Sequence, residues 1–333
     1  MVIAFVISET FSIYSFNGIR IQAETWAEAL MKKGHKVIKV NPWDKHNWEE
    51  YDIIHIVGPC EFLLQFTSSL VSKNKNIVFS PIIDTIQPKW KYKLVSYWGC
   101  SKLRLSCYNH DVRLAMKNIK QIYVRSQYEA DYVHICYSVP LSKIEIVPLS
   151  YRISPCLHYP QKENFCLHVS ILTSERKNVL RLIKAAIKYK FKLILAGSID
   201  SEEKFRPIDQ LIKKHNNISY LGKVSEEQLI ELYSRAKVFA LPSINEGVGM
   251  VALEAAVYGC NIVITEIGGP KEYYNNKAYI VNPFDIDDIG KKIELALADD
   301  NQQPSLMEYI QNEYSLDTCT KKLITSYNKI VSC

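Results

Sequence analysis

AKVFALPSINEGVGMVALEAAVYGCNIVITEIGGPKEYY, residues 236–274, reads as strand, loop, helix, strand, loop. Lys237–Leu241 is a short apolar run of strand type, and Pro242 and Ser243 stop it. Glu246-Gly247-Val248-Gly249 predicts a tight loop in which two glycines permit positive φ and a close approach of backbone to ligand. Met250–Tyr258 is rich in helix formers and ends at Gly259. Asn261–Thr265, apolar and β-branched, predicts a second buried strand, and Gly268-Gly269-Pro270 closes the unit with another loop.

In a parallel α/β sheet, the loops after the carboxyl ends of strands line the ligand crevice, so both glycine loops are expected to point into one cleft. A helix opening near Gly249 aims its free amides and positive dipole end there, which suits a phosphate. Glu246 in the loop and Glu254 in the helix, eight residues apart, can both reach one elongated, hydroxyl-rich ligand. That combination favours a sugar attached to a diphosphate. Spacing alone fits equally a helix-start glycine loop with two solvated glutamates.

The wider string narrows the choice. A Pro-Ser after the strand, Glu-Gly-x-Gly-Met, a second Glu eight residues on, Ala-x-x-x-Gly-Cys, an apolar strand and Gly-Gly-Pro-x-Glu together resemble the family-4 retaining glycosyltransferases (group 1, GT-B fold). The resemblance implies an α/β protein of two Rossmann-like parallel-sheet domains facing across a cleft. It is strong from about residue 164 to 300 and weaker before that.

Length and composition agree with two domains. The chain has 333 residues, 47% of them hydrophobic, enough for two ordinary cores. No apolar run is long enough to span a membrane. The start, MVIAFVISETF, lacks a basic segment before its apolar run and a small-residue cleavage site after it, so it reads as a buried strand and the chain as cytoplasmic. Nine cysteines with no Cys-x-x-Cys pair suggest reduced thiols rather than disulfides or zinc. The net charge of +6 falls in the first half: residues 1–155 hold 19 Lys+Arg against 13 Asp+Glu, and residues 156–333 hold 22 against 22.

Strand and helix patterns alternate along both halves. Met1–Ser8, His35–Val40, Tyr51–Val57, Asn76–Ser80, Gln121–Ser126 and Lys143–Val147 read as strands, with helices near Ile21–Lys33 and Gln127–Cys136. The residues from Pro148 to Lys162 hold three prolines and little periodic pattern, and read as the linker. Beyond it, Phe165–Val169, Phe191–Ala196 and Ile218–Leu221 read as strands. Val179–Tyr189, Pro207–Lys214 and Ser225–Ala236 read as helices, the last opened by a Ser-Glu-Glu-Gln capping box. Such alternation on both sides of a linker predicts two parallel-sheet domains, 1–155 and 156–310. Residues 311–333 resemble the family's terminal helix, which packs back on the first domain. Asp285-Ile286-Asp287 could pass for a metal motif, but acids in the first turn of a helix read as capping.

Several residues keep two readings open. His55, inside an apolar strand, is either a hydrogen-bonded core residue or a group near the cleft. From Thr85 to Arg125 there are nine Lys+Arg and one acid, Asp111, with Lys89, Trp90, Lys91, Tyr92, Lys93, Tyr97, Trp98, Lys102 and Arg104 interleaved. That pattern fits an anionic membrane surface, in which case the chain is peripheral on the inner face of the membrane, or a solvated irregular helical surface. It also fits a single-stranded nucleic acid. No nucleic-acid motif elsewhere supports the last, so no nucleic-acid partner is expected.

The resemblance implies roles residue by residue. Arg176 and Lys177 would stabilise the leaving diphosphate, Lys177-Asn178 matching the family's lysine position. Glu254 would hold the ribose hydroxyls and Glu246 the hydroxyls of the transferred sugar. The backbone of Gly247, Val248, Gly249 and Met250 would approach sugar and phosphate, with Gly18 contributing from the amino-terminal glycine loop. Transfer would retain configuration, with no protein nucleophile, no metal and no cofactor, from a UDP- or GDP-sugar to a glycan or lipid-linked saccharide in cell-surface polysaccharide synthesis. Three positions depart from the family pattern. Asn17-Gly18 stands where two glycines are common, and the usual arginine before Lys177 is absent, leaving Arg176 to substitute. Pro81-Ile82-Ile83-Asp84 replaces a histidine, so that Asp84 is either a general base at the acceptor or the cap of a turn. These departures keep two rivals in view, a catalytically silent partner subunit and a nucleotide-sugar epimerase of the same fold.

Overall fold

A computed structural model describes residues 1–8, 18–99 and 107–332; Asn17, Lys102 and Arg104 lie outside the described residues. The chain divides into two compact units, Met1–Leu149 with Leu316–Cys333, and Ser150–Ser315. The sequence places these boundaries at 155/156 and 310/311. The first falls earlier because the Ser150–Ser154 segment already bonds within the second unit: Tyr151 Oη donates to the Gln311 carbonyl at 3.3 Å and Tyr258 Oη to that of Ser154 at 2.8 Å. The second falls later, between two helices rather than inside one.

The first unit carries six strands, β1 (Val2–Ile7), β2 (Lys36–Lys39), β3 (Ile53–Val57), β4 (Ile77–Ser80), β5 (Gln121–Val124) and β6 (Ile144–Ile146). They form one parallel sheet in the order β2-β1-β3-β4-β5-β6. β3 and β4 are buried along their whole length, as expected of strands covered on both faces. Helices α1 (Gly18–Lys32), α2 (Leu63–Leu70), α3 (Lys89–Tyr97), α4 (Tyr108–Ala115) and α5 (Gln127–Tyr137) connect them. α2 has no side-chain cap and carries Thr and Ser within its eight residues, so nothing local announces it.

The second unit holds β7 (Glu163–Val169), β8 (Leu193–Ala196), β9 (Ile218–Tyr220), β10 (Ala236–Leu241), β11 (Asn261–Thr265) and β12 (Tyr279–Val281). Its helices are α6 (Val179–Tyr189), α7 (Glu202–Lys214), α8 (Glu226–Arg235), α9 (Met250–Val257), α10 (Ile286–Ala298) and α11 (Ser305–Glu313). The parallel sheet runs β12-β11-β10-β7-β8-β9, which from the other edge is the doubly wound order 3-2-1-4-5-6. α7 begins a turn and more before the expected Pro207, because Ser201 caps it by accepting the Lys204 amide. The Ser225 capping box forms, and Asp285 caps α10 through the amides of Asp287 and Asp288. β12 is only three residues long and has no readable period.

The last helix, α12 (Leu316–Val331), returns to the first unit and is fastened there by polar contacts as well as packing. Tyr123 Oη donates to Ser326 Oγ at 2.9 Å, Lys120 Nζ to the Ile330 carbonyl at 2.8 Å, and Lys33 pairs with Asp317.

Candidate active site

In the doubly wound order the strand sequence reverses between β7 and β10, so the loops after these two strands diverge to opposite faces and leave a crevice between them. The loop after β7 delivers Arg176 and Lys177; the loop after β10 delivers Ser243 and Glu246. Backbone and side chain hold the loops together. Ile244 N–H donates to the Arg176 carbonyl at 2.8 Å. Asn178, in the left-handed region at φ 59°, sends its amide nitrogen to the carbonyls of Pro242 at 2.8 Å and Pro283 at 2.6 Å.

Glu246 sits at the centre, 6% exposed. Lys177 Nζ and Ser243 Oγ both donate to its Oε1, the serine at 2.9 Å, and Arg176 donates to its Oε2 at 3.2 Å. Two cations around one nearly buried carboxylate leave a net positive group, whose carboxylate is an acceptor for hydroxyls and whose cations attract an anion. Behind it His168 bridges the two strands: its Nδ1 donates to the Ala240 carbonyl at 2.8 Å, so its Nε2 accepts from Ser170 Oγ at 2.7 Å. Burial pushes the His168 imidazole down to about 4, which keeps it neutral.

The glycines divide into those the backbone requires and those it does not. Gly249, at φ 73°, is the residue preceding α9, and no side chain caps that helix. Gly247 is not among the positive-φ glycines, so only one of the two loop glycines needs the left-handed region. Gly268, at φ 108°, pairs with Glu246 in an isolated parallel bridge, and a Cβ there would lie 1.9 Å from the Glu246 carbonyl oxygen. The Glu246 and Gly268 loops therefore extend β10 and β11 side by side.

Glu254 is placed on α9 with no exposed surface. Arg152 Nε donates to its Oε1 at 2.7 Å and Tyr233 Oη to its Oε2 at 3.5 Å. Burial pushes the Glu254 carboxyl above its usual range even though the Arg152 guanidinium opposes the shift.

Gly18 and Asp84 belong to the first unit. Gly18 opens α1, and a side chain there would meet no described atom within 4 Å. Asp84 follows β4 on the carboxyl edge of the sheet, its carboxylate held by Arg125 at 2.7 Å. Arg125 is buried against Glu129, whose Oε1 accepts the Ile83 amide and whose Oε2 accepts that of Arg125 at 2.8 Å. These contacts hold a bend in which Ile82, a β-branched residue, takes φ 54°. His55 is a core residue: fully buried, it meets Tyr327 Oη at 2.6 Å and Ser80 Oγ at 2.8 Å and stacks on Trp26. The alternative of a cleft histidine is thereby set aside.

Comparison with known proteins adds the family. The sequence profile of the family described as glycosyl transferases group 1 matches residues 154–314, the span of the second unit. The second unit is thus similar in sequence to the group 1 glycosyltransferases. The O-antigen chain mannosyltransferase B of Escherichia coli is 28% identical over 189 residues, covering 52% of this chain and 49% of that protein. The O-antigen chain mannosyltransferase RfbU of Salmonella typhimurium is 25% identical over 204 residues, covering 60% of this chain and 56% of that protein. The chain thus spans about half the length of the curated relatives it matches. The crystal structure of Anabaena HepE in complex with UDP superposes with a TM-score of 0.72 at 14% identity, over 99% of this chain and 100% of that one. The chain shares its GT-B architecture of two parallel-sheet units with such structures.

Four residues that complete the candidate site carry little local signal. Ser243 shows in the sequence only as a strand stop, and Asn178 only beside Lys177. Arg152 lies 102 residues from Glu254, and His168 lies 72 residues from Ala240. A polar residue inside an otherwise apolar strand, as His168 is, was the one cue available.

Proposed function

We propose that the chain transfers a hexosyl residue, with mannosyl favoured, from a UDP- or GDP-sugar to a saccharide or lipid-linked saccharide, with retention of configuration, in the synthesis of a cell-surface polysaccharide. The observation that carries this is the Lys177–Glu246–Arg176 cluster at the strand-order reversal of the second sheet, with α9 starting four residues after Glu246. Relatives named as O-antigen chain mannosyltransferases favour mannose and a polysaccharide product. A UDP complex of the same fold favours a nucleotide-diphosphate donor.

In the proposed reaction the bond from the sugar's anomeric carbon to the diphosphate oxygen breaks as a bond to the acceptor oxygen forms on the same face. The acceptor proton passes to the departing diphosphate, so no protein nucleophile and no metal enters the step. Lys177, Arg176 and the open amides at the start of α9 stabilise the charge that develops on the diphosphate. Glu246 accepts from the sugar hydroxyls and fixes the sugar for attack. Glu254 takes the ribose hydroxyls once Arg152 shares or yields its carboxylate.

The test is isothermal titration of a panel of UDP- and GDP-sugars against the wild type and Glu254→Ala. Selective binding of one nucleotide, weakened at least tenfold by the substitution, supports the donor site and names the base. No binding to folded wild type removes the donor reading and favours a catalytically silent partner. Acceptor-independent release of nucleotide favours an epimerase.

A further inference from the structure

α3 wears its amphipathicity inside out. Its inward side is polar: Ser96 Oγ donates to the Cys136 carbonyl, and Tyr92 Oη meets Tyr137 Oη at 3.0 Å. Its outward side is apolar. At about 100° per residue, Trp90, Leu94 and Tyr97 fall within an arc of about 60°, and Lys91 and Lys93 flank it on either side. Trp90 is 70% exposed and Leu94 60%, with Ile86 before the helix at 58% and Trp98 after it at 73%. A surface helix of a globular unit shows the reverse pattern, and among the described residues nothing in the packing of α3 accounts for two tryptophans and two aliphatic side chains in water. Among the described residues Lys91 and Lys93 take part in no ion pair, whereas the neighbouring Lys89 is paired with Asp131 and Arg125 with Glu129.

We propose that the outward face of α3 seats the protein on an anionic lipid bilayer, with Trp90, Leu94 and Trp98 entering the interface and Lys91 and Lys93 meeting the headgroups. Lys91 and Lys93, both exposed, give this face a charge complementary to anionic headgroups. Tryptophans beside lysines on a short helix are the chemistry of a helix lying in the headgroup plane. A second copy fits less well, because the flanking lysines would oppose each other across a two-fold contact. A single-stranded nucleic acid would stack on the tryptophans but gains nothing from Ile86 and Leu94.

Full-length protein is sedimented with vesicles of phosphatidylcholine alone or with three-tenths phosphatidylglycerol. Folding of each variant is checked by circular dichroism, which these exposed positions should leave unchanged. The anionic vesicles should retain the wild type at least tenfold more than the neutral ones. Trp90→Ser with Leu94→Ser should lower that retention at least tenfold, and Lys91→Glu with Lys93→Glu should erase the preference for phosphatidylglycerol. Equal retention of wild type and both variants overturns the proposal. So does tighter binding of a twenty-nucleotide oligothymidine than of vesicles at the same salt, or a dimer in sedimentation velocity that the Trp90/Leu94 variant loses. None of these outcomes depends on the donor site.

Discussion

Lys177 and Glu246 stand on loops that follow neighbouring strands of the second sheet, and the lysine ammonium donates to the same carboxylate oxygen that accepts from Ser243. The two residues are expected to fail differently. Glu246→Gln keeps the shape but removes the counter-charge of Lys177 and Arg176, so binding of UDP or GDP should hold or tighten. Donor turnover should fall by about 10²–10³. Lys177→Ala should instead weaken nucleotide diphosphate binding at least tenfold. Calorimetry together with transfer of the donor sugar to a lipid-linked saccharide acceptor separates the two, and equal loss of binding in both variants would count against the assignment.

Gly268 and Gly18 test which glycines the fold itself demands. A Cβ at Gly268 would come within 1.9 Å of the Glu246 carbonyl oxygen, at φ 108°, so Gly268→Ala must push the Glu246 loop aside. Unfolding free energy should drop by about 2 kcal/mol or more, with nucleotide binding lost. Gly18→Ala meets no described atom and should change stability by less than about 0.5 kcal/mol. A binding defect in Gly18→Ala without a stability defect would mark that glycine as required by ligand; urea titration and calorimetry on both variants give the answer.

The Glu-Gly-x-Gly loop, the strand pair around it and the caps at Ser225 and Asp285 were legible because each is written within a few consecutive residues. What the sequence withheld are the long-range partners. Glu129 looks like an ordinary first-turn acid after the Ser126 cap, yet its side chain is spent on Arg125 and the bend at Ile82. Arg152 sits among prolines and reads as linker, although the fold sends it to a buried glutamate. Asp84 presented itself as base or cap, and its partner Arg125 arrives just after β5, 41 residues on. Local propensity fixes elements and caps; which buried charge meets which is settled only when the sheet assembles.

Arg152 and Glu254 form a pair with one partner fully buried and the other about a third exposed. Removing the guanidinium strands a carboxylate without water or counter-ion. The cost for a fully buried pair is about 3–5 kcal/mol, and the water still reaching Arg152 lowers the expectation for Arg152→Ala to about 2–3 kcal/mol. The stranded carboxyl can escape by taking a proton, which burial already favours. The loss should therefore be larger at pH 8 than at pH 5. Urea unfolding of wild type and variant at the two pH values checks this, and a pH-independent difference would refute it.

His55 makes the first unit acid-sensitive. Burial holds its imidazole at about 3 in the folded protein, against an ordinary value of 6.5. Because the folded value is the lower one, the unfolded chain binds the proton first as pH falls. The contribution is therefore complete above about pH 6.5 and is lost progressively toward pH 3, at up to about 1.4 kcal/mol per pH unit. Between pH 6.5 and 4.5 the loss should reach about 2 kcal/mol. All five tryptophans lie in the first unit, and Trp26 stacks on His55 at 5.5 Å, so tryptophan fluorescence during urea unfolding follows this unit alone. His55→Gln keeps a polar side chain between Tyr327 and Ser80 without a group that titrates in this range. Its unfolding free energy should fall less steeply than that of the wild type between pH 6.5 and 4.5, by the amount one histidine contributes. Identical slopes in the two proteins would mean that the acid sensitivity resides elsewhere.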